Sequence, residues 1–187
     1  MEAEFRPVSF SRTTITELMV PTYANFGGKV HGGTILSLMD KAAYVCSSKH
    51  AGTYCVTVSV DAVDFLKPVE VGNLVSLHAS VNFVGKSSLI VGIKAVAEDL
   101  MRRTESHTNT SYFTMVAVDE SMNAAKLPGL LLETPDDVRR FIKSKIRREF
   151  KRSKSAELEA IIEKMAKADN LDFLKNENCL VASEYLK

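Results

Sequence analysis

The hydrophobic period changes once along this chain, and that change leaves little freedom in the fold. From residue 33 to about 50 the apolar residues Ile35, Leu38, Met39, Ala42, Ala43, Val45 and Cys46 recur every three or four positions, the spacing of one helical face. Ala51-Gly52 ends the run, with Gly52 placed as a left-handed cap. Beyond it the period is two: Val56, Val58 and Val60 alternate with Thr57, Ser59 and Asp61, and Val63 and Phe65 continue the apolar set. Leu74–Val84, Ser88–Asp99 and residues 110–119 read as three further strands, with Gly85-Lys86-Ser87 as a hairpin tip. Ahead of the helix, residues 14–23 read as a strand interrupted by Pro21, which suits an edge or a strand end.

One helical segment among five strands predicts an α+β fold in which an antiparallel sheet of about five strands wraps around one central helix, the arrangement called a hotdog. A sheet with open edges is blunted by a second copy, so a homodimer or larger assembly is expected. Thr134-Pro135-Asp136-Asp137 carries the start signals of another helix. Two apolar stripes follow: Val138, Phe141, Ile142, Ile146 and Phe150, then Leu158, Ile161, Ile162, Met165 and Ala166. They predict at least two amphipathic helices. The expected division is a domain over residues 1–134 and a helical, partly basic extension over 135–187.

The net charge of +1 hides an asymmetry, because residues 138–154 hold nine basic side chains against the single acid Glu149. That run could neutralise phosphates, meet an acidic membrane or nucleic acid, or coat the exposed face of a helix packed on the oligomer, the reading favoured here. The N-terminal residues contain no continuous apolar stretch and nowhere do about 18 apolar residues run together, so neither a signal peptide nor a membrane span is supported and a cytoplasmic protein is expected. Cys46, Cys55 and Cys179 form no C-x-x-C pair, and His50, His78 and His107 show no ligand spacing, so neither a disulfide framework nor a metal site is expected.

The chemistry concentrates where a strand-like segment feeds the central helix. Asn25, the run His31-Gly32-Gly33 and Asp40 stand at offsets of six and nine residues. Paired glycines let a carbonyl approach the free N–H groups of a helix start, where the dipole favours developing negative charge. They also serve close packing of a helix, and both readings can hold. Asp40 is positioned to act as general base on a water or as nucleophile, and Asn25 to orient that water or a thioester oxygen. The set needs no cysteine or serine nucleophile to hydrolyse a thioester. His31 could donate to the ligand or simply cap the helix. Lys86, Ser87 and Ser88 on the hairpin tip, and Arg102 and Arg103 in another loop, are candidates to hold phosphates, beside a plain turn-forming role.

The segment NFGGKVHGGTILSLMDKAA resembles acyl-CoA thioesterases of the hotdog superfamily. VTVSVDAVDFLKPVEVGNLVSL, GKSSLIVGI and SYFTMVAVDESMNAAKLP look like the acyl-CoA hydrolase group that includes brain acyl-CoA hydrolase and its short bacterial relatives, over residues 11 to about 130. The resemblance implies hydrolysis of acyl-CoA to fatty acid and coenzyme A with no metal or separate cofactor. It further implies a trimer of dimers whose active sites take Asn25 and Asp40 from different subunits, with Gly33 as carbonyl polariser. Many members of the group carry Phe where this chain has His31, and related hotdog thioesterases carry His. A hydratase of the same fold would need a His paired with an acid, and only His31 is near. A non-catalytic acyl-CoA sensor whose basic tail contacts nucleic acid is the alternative from another class.

Overall fold

The computed structural model describes residues 4–166 and 177–180. A short strand β1 (Phe5–Pro7) and one helical turn α1 (Val8–Ser11) precede β2 (Thr13–Leu18). A 3₁₀ turn (Pro21–Tyr23) leads to the central helix α2 (Gly32–Ala51), which is followed by β3 (Tyr54–Val60), β4 (Leu74–Val84), β5 (Ser88–Asp99) and β6 (Thr104–Val118). A short β7 (Gly129–Leu131) then precedes the long helix α3 (Pro135–Ala166). The main sheet is antiparallel throughout, in the order β2-β4-β5-β6-β3.

This is the hotdog arrangement expected from the hydrophobic period. Ile35, Leu38, Met39, Ala42, Ala43 and Cys46 bury one face of α2 among the alternate residues Val75, Leu77, Ala79 and Val81 of β4, Leu89, Val91, Ile93 and Ala95 of β5, and Phe113, Met115 and Ala117 of β6. Those strand residues share rows: Leu77 stands opposite Ala95, Val81 opposite Val91, Val91 opposite Phe113. The two-residue period therefore puts one continuous apolar surface under the helix. Gly52 ends α2 at φ 73°, a left-handed conformation that costs a residue without Cβ little.

Several expectations need correction. Pro21 does not interrupt a strand: β2 stops at Leu18 and Pro21 opens the 3₁₀ turn, where its lack of an N–H is harmless. The third strand ends at Val60, and residues 61–66 run beside β6 held by isolated bonds, Asp61 N–H to the Tyr112 carbonyl and Leu66 N–H to the Thr108 carbonyl. Strand β6 starts at Thr104, earlier than its apolar pattern suggested, because β5 pairs with it down to Asp99 opposite Thr104. Both apolar stripes of the tail fall on one continuous helix through Ala166; residues 167–176 and 181–187 lie outside the described residues. The parallel pairing of β1 with β7, between segments more than a hundred residues apart, had no sequence signal.

Along β3 the register slips between Thr57 and Ser59: Cys55 and Thr57 stand opposite Ala117 and Met115, Val58 sits in the slip, and Val60 stands opposite Phe113. Cys55 is buried against α2, whereas Val58 and Val60 on this edge strand are 61% and 42% exposed.

The chain divides into two compact units, Met1–Ser144 and Lys145–Lys187, so the first turns of α3 belong with the sheet. They are fastened by a reciprocal cap: Asp137 N–H donates to Thr134 Oγ1 at 3.1 Å while Thr134 N–H donates to Asp137 Oδ2 at 3.0 Å. Phe141 stacks against Phe83, and Arg12 pairs with the buried Asp137.

At the other end of α2, His50 is fully buried, its Nε2 3.2 Å from the Pro128 carbonyl and its Nδ1 without a partner. Desolvation is the main force lowering its pKa; the nearby Arg6 guanidinium acts the same way, and the Pro128 carbonyl and Glu4 oppose it. With the folded pKa below the unfolded value of about 6.5, the stabilisation is complete above that pH and is lost as pH falls toward the folded pKa. The urea midpoint is expected to fall between pH 7.5 and 5.5, and to fall less in His50→Leu; equal losses in the two proteins would refute the assignment to His50.

Candidate active site

The approach to α2 is a tight loop closed by Asn25. Its Oδ1 accepts from Gly27 N–H at 2.8 Å and Lys29 N–H at 3.2 Å, and its backbone N–H donates to the Lys29 carbonyl at 2.7 Å. This is the self-bonded turn that asparagine forms readily, completed by Gly28 at φ 74°. With the oxygen committed to the loop, Nδ2–H is the end that Asn25 offers a ligand.

His31 is the N-cap of α2, in extended conformation. Its Nδ1 accepts the Gly33 N–H at 2.9 Å, so in the single chain the amide expected to polarise a carbonyl is held by His31. Capping is thus the role His31 plays here. Gly32 is the first helical residue, and its N–H lies ahead of the intrahelical ladder. The Phe65 ring covers Gly32 closely: a Cβ there would sit 3.2 Å from Phe65 Cζ.

Asp40 lies seven residues beyond Gly33, two helical turns, so the two share a helix face about 10 Å apart along the axis. Side chains lean toward the helix N-terminus, which shortens the gap. The Asp40 side chain is exposed in the single chain, and Thr57 Oγ1 donates to Asp40 Oδ1 at 2.7 Å. Thr57 on β3 was missed by the sequence reading. Its signal was parity, since Thr57 falls two residues from Cys55, on the face toward α2.

Thr57, Met115 and Leu89 stand in one row across β3, β6 and β5, which places Thr57 two strand spacings, about 10 Å, from the residue after Ser88. The neighbouring hairpin tip opens onto a pocket of about 510 Å³ lined by Gly85, Lys86, Ser87, Ala124, Ala125, Lys126 and Leu127. Lys126 joins Lys86 there through Leu127 N–H, which donates to the Lys86 carbonyl at 3.0 Å. Ser88 is the first residue of β5, and its carbonyl accepts from Gly85 N–H at 2.7 Å. Arg102 and Arg103 sit at the far end of β5, whose twelve residues span about 40 Å. A single chain therefore does not bring them to the Lys86 pocket; Arg102 pairs with Asp99 at 3.7 Å and Arg103 holds a left-handed turn at φ 53°. Among the described residues no group of three His, Cys, Asp or Glu side chains is gathered for a metal ion. Burial pushes the Cys46 thiol up to about 12, which removes it as a thiolate nucleophile.

The antiparallel sheet wrapped on one central helix is the fold of the hotdog thioesterases. The chain matches the profile of the thioesterase superfamily over residues 27–103. It is 45% identical over 131 residues to protein VdlD of Helicobacter pylori, covering 70% of this chain and 75% of that protein. An acyl-CoA hydrolase from Staphylococcus aureus, solved with butyryl coenzyme A, coenzyme A and coenzyme A disulfide, superposes with TM-score 0.77 at 28% identity, covering 87% of this chain and 99% of that one. An apo-hexameric acyl-CoA thioesterase does so with TM-score 0.79 at 32% identity, covering 82% and 98%. The chain belongs to the thioesterase superfamily. The Staphylococcus enzyme has also been solved with alanine at an asparagine, an aspartate and a threonine spaced by 15 and then 17 positions. Asn25, Asp40 and Thr57 have that spacing.

Proposed function

We propose that the protein is an acyl-CoA thioesterase in which Asp40, held by Thr57, takes a proton from water as the water attacks the thioester carbonyl. The water oxygen forms the new C–O bond, the C–S bond breaks, and the proton returns to the coenzyme A sulfur. A thiol with pKa about 8.5 leaves with little acid help, so a single carboxylate suffices. The observation that carries this reading is the 2.7 Å bond from Thr57 to Asp40 at the spacing of the residues altered in the Staphylococcus enzyme.

In this reading the amides at the start of α2 stabilise the oxyanion, and the carbonyl displaces His31 Nδ1 from Gly33 N–H. Asn25 contributes Nδ2–H from a neighbouring subunit. Lys86, Ser87 and Lys126 receive the phosphates of coenzyme A. Arg102 and Arg103 serve the same ligand only from a different subunit. The chain assembles as a homohexamer, a trimer of dimers, with the open edge of β3 at one contact; support comes from the hexameric relative and from the exposed Val58 and Val60 of that edge.

Free-thiol release from a series of acyl-CoAs tests the reaction; a sensor would bind them without turnover. Thr57→Val removes one charge-assisted hydrogen bond, worth about 1.5–3 kcal/mol, and is expected to lower kcat roughly 10- to 100-fold with KM little changed. An unchanged kcat would remove Thr57 from the site.

A further inference from the structure

The Phe65 ring stands outside the core and is nevertheless fixed in place. Residues 61–66 are pinned to β6 at both ends, Asp61 N–H donating to the Tyr112 carbonyl at 2.9 Å and Leu66 N–H to the Thr108 carbonyl at 2.8 Å. Next to the second pin, Phe65 lays the tip of its ring on the first residue of α2: a Cβ on Gly32 would stand 3.2 Å from Phe65 Cζ and 3.7 Å from both Cε1 and Cε2. The ring remains 48% exposed, so much of it borders the open space beside the helix start. Gly32 N–H lies ahead of the intrahelical ladder and is one of the amides that the thioesterase reading gives to the carbonyl oxygen. A carbonyl bonded there brings the atoms on one side of it against Phe65.

The order of groups along α2 decides which side of the thioester that is. Lys86 and Ser87 belong to the far end of the helix: the Ser87 carbonyl accepts from Ala117 N–H at 2.9 Å, and Ala117 stands opposite Cys55, just after α2 has ended at Ala51. Thr57, which holds Asp40, follows on β3, and the chain then runs past Val60 to place Phe65 at the start of α2. A coenzyme A with its phosphates at Lys86 and its sulfur near Asp40 therefore turns its acyl group toward Phe65. Resting on that thioesterase reading, we propose that Phe65 determines acyl specificity by packing against carbon 2 of the acyl group, favouring straight chains over chains branched at that carbon. Pinned through Leu66 and seated on helix backbone, the ring has little room to recede from an added methyl group. An apolar wall of this kind separates substrates that differ by one such group by roughly 10- to 200-fold.

The test compares kcat/KM of the full-length protein for butyryl-CoA and isobutyryl-CoA, isomers that differ only in branching at carbon 2. The wild type is expected to prefer butyryl-CoA by roughly tenfold or more. Phe65→Ala should lose part of its rate on the straight ester, as a contact is removed, and gain on the branched one, so that the preference falls to about twofold or less. Phe65→Tyr keeps the ring and should keep the preference. So should Leu66→Ala, which alters the adjacent exposed side chain and leaves the ring. Equal use of the two esters by the wild type, a preference that survives in Phe65→Ala, or one that Leu66→Ala abolishes as fully would overturn the proposal. A smaller assembly by light scattering in Phe65→Ala would do so as well, assigning the ring to a subunit contact. Hydrolysis of neither ester by the wild type is a separate result, since it would remove the thioesterase reading and the role of Phe65 with it.

Discussion

Asp40→Asn is expected to lower kcat by roughly 10²- to 10⁴-fold, the range for loss of a general base. The substitution keeps the shape of the side chain and leaves an oxygen to accept the Thr57 hydroxyl, now at 2.7 Å. What it removes is the ability to take a proton. Because Asp40 is exposed in the single chain, stability should stay within about 0.5 kcal/mol of the wild type, as for surface changes generally. Initial rates with a soluble acyl-CoA, beside a thermal melt, separate the two quantities. A variant that keeps more than about a tenth of wild-type kcat would refute the assignment of Asp40 as base. Single-turnover hydrolysis in oxygen-18 water distinguishes direct attack, which would label the carboxylate, from water activation, which labels only the fatty acid.

Gly92→Val is expected to destabilise the fold by about 3 kcal/mol, near the upper end for overpacking. Gly92 lies in the middle of β5 between Ser80 and Tyr112, and a Cβ there would fall 2.2 Å from Asn82 Nδ2 and 3.3 Å from Tyr112 Cε1. Asn82 cannot simply swing aside, since it is buried and its Oδ1 accepts the Ser80 hydroxyl at 2.9 Å. Gly92→Ala should cost less than valine, and pairing it with Asn82→Ala should recover part of the loss, a coupling that a double-mutant cycle in urea measures. Additive losses in that cycle would show that Asn82 is not the obstacle.

Much of the fold was legible because it depends on local periodicity. The three-and-four spacing from Ile35 to Cys46 located α2, Gly52 marked its end, and β4 and β5 span the expected Leu74–Val84 and Ser88–Asp99 on either side of Gly85-Lys86-Ser87. The catalytic proposal was legible for a similar reason: the glycines and Asp40 lie on one helix, which sets their relative heights, and Asn25 closes the loop just ahead of it. Thr57 was not, because its meeting with Asp40 depends on which face of an edge strand turns inward. There the register slips between Thr57 and Ser59, so simple alternation along the strand does not carry through to Val60, which stands opposite Phe113. In α3 the first apolar stripe does not act as one face: Phe141 packs on Phe83, while Val138 and Ile142 stay exposed.

By itself, then, the order of residues determined the central helix, strands β4 and β5 and the chemical groups at the start of α2, all set by interactions within a few residues along the chain. Only the tertiary structure decided that Thr57 holds Asp40, that His31 occupies the Gly33 amide, that Lys126 shares a pocket with Lys86 and that Arg102 and Arg103 stand a strand's length away. Apart from the local His31 cap, these depend on register and strand order, which are fixed by how the buried faces fit together across the whole sheet.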